Sequence, residues 1–428
     1  MGAMPGKRSG FRPNAEVCEP RCLLSAGVLH LAGGAHHPER PNTPVLPYGA
    51  PSKQATFLDP SSRIVAPNRI AFGANVFVAP FAGLDATQGY IKVGASSVLL
   101  DNSTLVANPN RTSGNPGIEI GDQTVIGFGA RVEGNSRIGA YDAASKPTSI
   151  GANALVQNSI IEPGAIVDVG ATVTNVTVPT GLRVLPGAVV TTQAEASEVA
   201  LKKVVPVTKA DLSAITTTVS DAVLLASGYT TLYQGQSNTG VAGSPASSTT
   251  VANLFNGNLA QVRGTSAEPS TTIQSTRYKP RFLANNGRTI AAGFADFPAR
   301  ITGQVIIRQK AGNFANRVGT RVAIRADEGQ PIRIQSIARL GSGVTLHAQR
   351  GGNLTIGSGF RAKAGAVIQG GKGSTIGNDV SVGCRAVVER SNLGNGVIVG
   401  DGALIIDSTI AAGTVVPAGA IIVANKRV

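Results

Sequence analysis

Aliphatic residues recur along much of this chain at a fixed spacing of six. Ile64, Ile70, Val76 and Ala82 form one such series. Val93, Leu99 and Leu105 form another, followed by Ile120, Ile126, Val132 and Ile138, and then by Val178, Val184 and Val190. The pattern stops and then returns as Ile334, Leu340, Leu346; as Ile356, Ala362, Ile368; and as Ile376, Val382, Val388. It closes with Leu393, Val399, Ile405 and with Ile410, Val416, Ile422. Gly, Ala, Asn or Asp commonly follows the aliphatic residue, as in IGDQTVIGFGARVEG. A period of six fits neither an α-helix nor a hairpin meander. It predicts a triangular parallel β-helix in which each unit of six makes one flat side and one corner. The aliphatic residue points inward and stacks on its equivalents at the inter-strand spacing of about 4.8 Å. Small residues serve the corners, where the backbone needs positive φ or close approach.

The same pattern divides the chain. Residues 1–55 lack it and read as a leader; 56–205 form a first β-helix; 206–233 an α-helix; 234–284 a polar linker; and 285–428 a second β-helix. The fold class expected is therefore all-β, two tandem parallel β-helices with one helix after the first; the coils are left-handed in the hexapeptide-repeat families that this pattern resembles, so left-handed β-helices are expected. The helix starts at a capping-box-like Thr208-Lys-Ala-Asp211. It presents Leu212, Ile215, Val219 and Val223 on one face, to pack on the first wall, with Gly228 as a stop signal.

Composition agrees with short strands and tight turns. Gly numbers 53 and Pro 24 in 428 residues, aromatics are 4% and Trp is absent, which excludes a helical bundle or coiled coil. The net charge of +14 raises nucleic acid as a partner, but the basic residues are scattered and no aromatic-interleaved basic patch occurs, so none is expected. The apolar stretch from Gly402 to Asn425 is interrupted by Asp407 and Pro417 and keeps the six-residue register, so no transmembrane segment is expected. Cys18, Cys22 and Cys384 make no disulfide framework, and Cys384 reads as a small buried hydrophobe.

Ile324 to Ala348, IRADEGQPIRIQSIARLGSGVTLHA, closely resembles the signature of the γ-class carbonic anhydrases, an arginine-x-aspartate-glutamate-glycine run followed by a histidine. The likeness continues through TIGSGFRAKAGAVIQG and GNDVSVGCRAVVERSNLG to VVPAGAIIV. The first β-helix resembles the same family, from FLDPSSRIVAPN to VLPGAVVTTQAEA. The resemblance implies two tandem γ-carbonic-anhydrase-like units. It also implies a homo-oligomer, by family habit a trimer, with zinc between subunits on three histidines and carbon dioxide and bicarbonate as substrate and product. In that likeness Arg325 and Asp327 take structural and assembly roles, and Glu328 the proton-transferring one. His347 takes the place of the first metal ligand.

The departures weigh more than the match. The second ligand position is Ala364 and the third Gln369; in the first copy the three are Val106, Phe128 and Glu133, with Asp85 and Thr87 at the Arg and Asp positions. A structural zinc site contributes about 10–16 kcal/mol. If one imidazole kept a third of that, about 4 kcal/mol, the dissociation constant would be near millimolar. No cofactor is therefore expected, zinc being the one the likeness names. The sequence reads as a family member with a degenerate zinc site, a weakly active or non-catalytic binding or assembly module. One alternative is an active carbonic anhydrase with an unconventional site around His347, with Gln369; another is a hexapeptide acyltransferase, with His347 as its base. Residues 18–25 in the leader, CEPRCLLS, resemble the Leu-Glu-Pro-Arg-x-Leu-Leu export motif of planctomycete-type bacteria, with Cys18 where the first Leu would be, which favours an exported or cell-surface protein over a cytoplasmic one.

Overall fold

The computed structural model describes residues 56–59, 61–66, 69–108, 117–142, 144, 146–232, 241–242, 249–250, 281–283, 299–303, 305–309, 313–314, 316–328 and 331–428. The expected leader, with the stretch that resembles an export motif, and most of the expected linker lie outside the described residues.

Two left-handed parallel β-solenoids stand side by side. In the first, three parallel sheets form the sides: sheet A from Thr56–Leu58 to Leu182–Val184, sheet B from Arg63–Val65 to Val189–Val190, and sheet C from Ile70–Phe72 to Thr177–Val178. In the second, sheet D runs from Ala299–Gly303 to Ile421–Val423, sheet E from Val305–Ile307 to Thr409–Ile410, and sheet F from Ile337–Leu340 to Val415–Val416. The expected periodic residues fill two separate cores, Ile64 through Val190 in one and Ile334 through Ile422 in the other. Parallel register holds each aliphatic residue over its predecessor, as with Ile126 between Leu99 and Ile150. Cys384 is buried in a coil.

Where the expected linker is described, it holds three short strands. Val241–Ala242 pairs antiparallel with Thr56–Phe57, Thr249–Thr250 with Ala71–Phe72, and Arg281–Leu283 with Ala299–Ile301. These strands cap edges that would otherwise expose unpaired backbone groups.

Two α-helices occur among the described residues, one more than expected. Short α1, Gln193–Ser197, carries a Thr192/Glu195 capping box. The long helix α2 is Lys209–Leu232. Its start is as the sequence predicts: Asp211 N donates to Thr208 Oγ1 at 3.2 Å, and Thr208 N donates to the Asp211 carboxylate at 2.8 Å. Its end is not, because α2 runs through Gly228. Tyr229 stacks on Phe57 with ring centroids 4.7 Å apart and anchors the added turn. The buried face is also rotated, to Ile215, Val219, Ala222, Leu225, Ala226 and Tyr229, leaving Leu212 and Val223 half-buried. A third core forms where α2 and sheet A of the first solenoid meet Val367, Val387, Leu404 and Ile406 of the second. The helix thus fills a groove between both solenoids, where the sequence predicts packing on the first wall alone.

Candidate functional site

The two solenoids meet along the corner that follows sheet A and the corner that precedes sheet D. Asn102 and Asn153 hold φ of 58° and 54° there, which Asn tolerates better than other side chains with a Cβ. Their amides reach across: Asn102 Nδ2 to Thr345 Oγ1 at 3.2 Å, and Asn153 Nδ2 to the carbonyls of Gly365 at 3.1 Å and Arg385 at 3.0 Å. Gly170 (φ 67°) lies so close to Leu404 that a Cβ would come within 3.0 Å of its side chain.

The charged residues singled out in the sequence converge on this interface. Val322–Ala326 is buried throughout: Val322, Ile324 and Ala326 face the core, and Arg325 projects into the contact. The Arg325 guanidinium lies among three carboxylates. Its Nε is 3.4 Å from Asp101 Oδ2 of the first solenoid and 3.6 Å from Asp327 Oδ1, and Nη2 is 3.4 Å from Glu328 Oε1. Its flat face lies 5.4 Å from the centre of the Phe77 ring. Asp327 accepts from Tyr229 of α2 at 2.7 Å and from Thr302 at 3.3 Å. Glu328 also accepts from the Arg350 backbone N–H at 2.7 Å, and Arg350 in turn pairs with Asp221 of α2 at 2.7 Å. A second buried pair, Arg300 and Asp59 at 3.1 Å, joins the solenoids nearer their starts.

His347 lies next to Arg325 in parallel register. Its Nε2 is 3.0 Å from Glu328 Oε1 and 3.2 Å from Arg325 Nη2. Nε2 thus lies between a carboxylate that accepts and a guanidinium that donates, and Nδ1 makes no hydrogen bond. The Phe128 ring of the first solenoid packs on the imidazole, centroids 5.0 Å apart. The sequence resemblance sets Phe128 at the second ligand position expected for the first copy, so the residue facing His347 across the contact is a hydrocarbon ring where the resemblance asks for an imidazole.

The other singled-out positions lie apart from this cluster. Gln369 follows His347 in register but donates to Gln349 at 2.7 Å. Ala364 is in a corner and has no donor atom. Val106 and Glu133 are register neighbours on sheet B, and Glu133 is engaged by Arg131 and Gln157. Glu328, for which a solvated side chain is the expectation without a zinc-bound water, is instead 11% exposed and holds three partners.

Burial pushes the Asp101 carboxyl up to about 6, against the lowering effect of Arg325 and His347. Glu328 is largely withdrawn from solvent, which alone would raise it, yet His347 and Arg325 hold it below its ordinary value. Burial and the neighbouring Asp327 raise Tyr229 well above the usual phenol range, so its hydroxyl stays protonated and donates.

Asp327, Glu328 and His347 bring three donor atoms within 4.8 Å of one another. That set does not match zinc on three imidazoles. Two donors are carboxylates, the cross-interface position is Phe128, and a permanently charged guanidinium lies in contact with all three donors.

Sequence reasoning passed over Asp59, Asp101, Tyr229, Arg300, Arg350 and Asp221. Only Asp59 lies in a stretch, FLDPSS, that the resemblance marks; the others belong to the network because of the side-by-side placement.

No family model matches the sequence, and no curated protein matches it. Among solved structures, a candidate acetyltransferase from Desulfovibrio desulfuricans G20 is 13% identical over 88% of this chain and 70% of that one, with a TM-score of 0.26. The Arabidopsis UDP-N-acetylglucosamine acyltransferase is 8% identical over 86% of this chain and 71% of that one, with a TM-score of 0.13. Likenesses this distant carry no activity to the chain.

Proposed function

We propose that this chain is a γ-carbonic-anhydrase-like protein whose ancestral metal site has become an ion-pair lock between its two solenoids, leaving a non-catalytic binding or assembly module. The observation that carries this reading is Arg325. Its guanidinium is fully buried and lies against Asp327, Glu328 and His347, the donor cluster found among the described residues, so a bound cation there would have to displace or sit beside a cation. A buried charge pair fixes relative placement, because removing either member leaves an uncompensated charge. The family's trimeric habit extends the proposal to a homo-oligomer in which these solenoid contacts are repeated between chains. Metal analysis and a carbon dioxide hydration assay on the purified full chain test the proposal. Substoichiometric zinc and the uncatalysed rate are expected; one zinc per chain with turnover would overturn it.

A second reading keeps a metal on Asp327, Glu328 and His347, favoured by the closeness of their donor atoms. It requires His347→Ala to remove both metal and activity. An acyltransferase role has less support, since its base must reach an acceptor group and His347 is 3% exposed. Binding of an acyl-coenzyme A would revive it.

A further inference from the structure

Sheets A and F hold corresponding places in the two solenoids. Each immediately precedes the corner that its solenoid brings to the shared contact, Asn102 and Asn153 after sheet A, Gly343 and Gly365 after sheet F. Sheet A is covered. Its outward column runs Phe57, Phe77, Val98, Val125, Ser149, Ile166 and Arg183; all are buried but the half-buried Ser149 and Arg183, and α2 lies along it. The matching column of sheet F reads Arg339, Arg361, Ser381, Ile398 and Val415, in register from coil to coil, and an isolated bridge between Val318 and Leu340 sets Arg317 beside Arg339 at its start. The three arginines are exposed, and Ile398 and Val415 are 48% and 64% exposed. Arg317 donates one hydrogen bond to the Ile337 carbonyl. Among the described residues neither Arg339 nor Arg361 has a carboxylate partner.

We propose that this strip of sheet F is a docking surface for an amphipathic α-helix of a partner protein, apolar at one end and acidic at the other, laid along the solenoid axis as α2 lies along sheet A. Spacing selects a helix over other anionic chains. Rungs of the strip are about 4.8 Å apart, and one helical turn rises about 5.4 Å. Same-face residues of an extended peptide are about 6.8 Å apart, and a nucleic-acid strand carries one phosphate per roughly 3.4 Å. Among the described residues the face also has no exposed aromatic residue on which bases could stack. Five steps of the strip span roughly 24 Å, close to sixteen helical residues, so successive rungs meet alternating a and d positions of a heptad. In the direction α2 takes, the partner presents two aliphatic residues, then a small polar one, then three carboxylates. The precedent for the ionic half is α2 itself, whose Asp211 and Asp221 meet Arg183 and Arg350 on the walls it crosses. Charge supports the match: residues 299–428 hold 16 Lys and Arg against 6 Asp and Glu, while residues 56–205 hold 10 against 11. The strip lies on a different sheet from the His347 cluster, so the proposal stands whether or not that cluster binds metal.

The test uses the full chain and a fluorescent synthetic helix of about three heptads, with Leu at the first a and d, Ser at the second a, and Glu at the next d, a and d positions. Saturable binding by anisotropy is expected, weakened by salt. Arg339→Glu with Arg361→Glu should weaken it about tenfold or more, as two exposed ion pairs become repulsive. Ile398→Asp should weaken it separately. Both changes are at exposed positions, and an unchanged melting temperature will show that the fold is intact. Equal affinity for a scrambled peptide of the same composition would overturn the proposal. So would indifference to the Arg changes, or preferential capture of polyuridylate or phosphatidylserine vesicles that the helix does not displace.

Discussion

The two solenoids share one inward pattern and differ in almost everything they turn outward. The first presents a greasy sheet A to its own helix and offers Asp59, Asp101 and Phe128 at the contact. The second answers with Arg300, Arg325 and His347 on sheet D and, among the described residues, carries no helix on sheet F. Six-residue periodicity governs the core because each inward side chain must stack on its equivalents above and below while meeting those of the other two sides. It places no such demand on outward positions, so two copies of one scaffold can take complementary charge. The contrast teaches that the outward columns, and not the coils, decide what each half does.

The severest way to break this pairing is Arg325→Ala. It leaves Asp101, Asp327 and Glu328 buried beside no guanidinium, and a loss of about 3–5 kcal/mol in chemical denaturation is expected. A loss below about 1 kcal/mol would mean that Arg325 is no lock.

The pairing can next be probed by pH. The folded-state value of Asp101, about 6, is above the ordinary 3.8. The folded protein therefore takes up this proton before the unfolded chain does. Stability from this group rises as pH falls from about 6 and levels off below 3.8, worth about 3 kcal/mol in all. Glu328 works oppositely, since its lowered value makes its contribution vanish on acidification. The wild type should therefore gain on Asp101→Asn between pH 7 and 4 in denaturant titrations. A constant difference would refute the assignment.

Tyr229→Phe removes one hydroxyl and leaves Asp327 short of a donor; about 1–3 kcal/mol should be lost, measured as thermal stability. A smaller change, Thr208→Ala, unties the α2 cap and should cost about 1 kcal/mol. If it costs nothing, α2 is held by its groove contacts alone.

The sequence made the solenoid interior legible residue by residue, from Ile64 to Ile422, because period and burial are the same fact in a β-helix. It also showed Arg325, Asp327, Glu328 and His347 as a set. Their partners were hidden: Asp101, Tyr229 and Arg350 meet the cluster across elements that are far apart in the chain, and no local pattern marks such a meeting. The same cause explains the end of α2. Gly228 reads locally as a stop, but stacking of Tyr229 on Phe57 outweighs a modest propensity cost. The capping strands at 241–242, 249–250 and 281–283 escaped notice because their composition is that of a polar connector.

Helix α2 is also a gauge of height. It returns the chain from the last coil of the first solenoid to the end where both begin, and its 24 residues reach about 36 Å. One additional coil would lengthen that journey by about 4.8 Å, or roughly 3.2 helical residues, just short of a full turn. Three or four inserted residues would therefore keep the same side chains facing the groove. The architecture can grow or shrink only in matched steps, a coil with a turn, and a duplication that changed one without the other would pull Tyr229 away from Asp327.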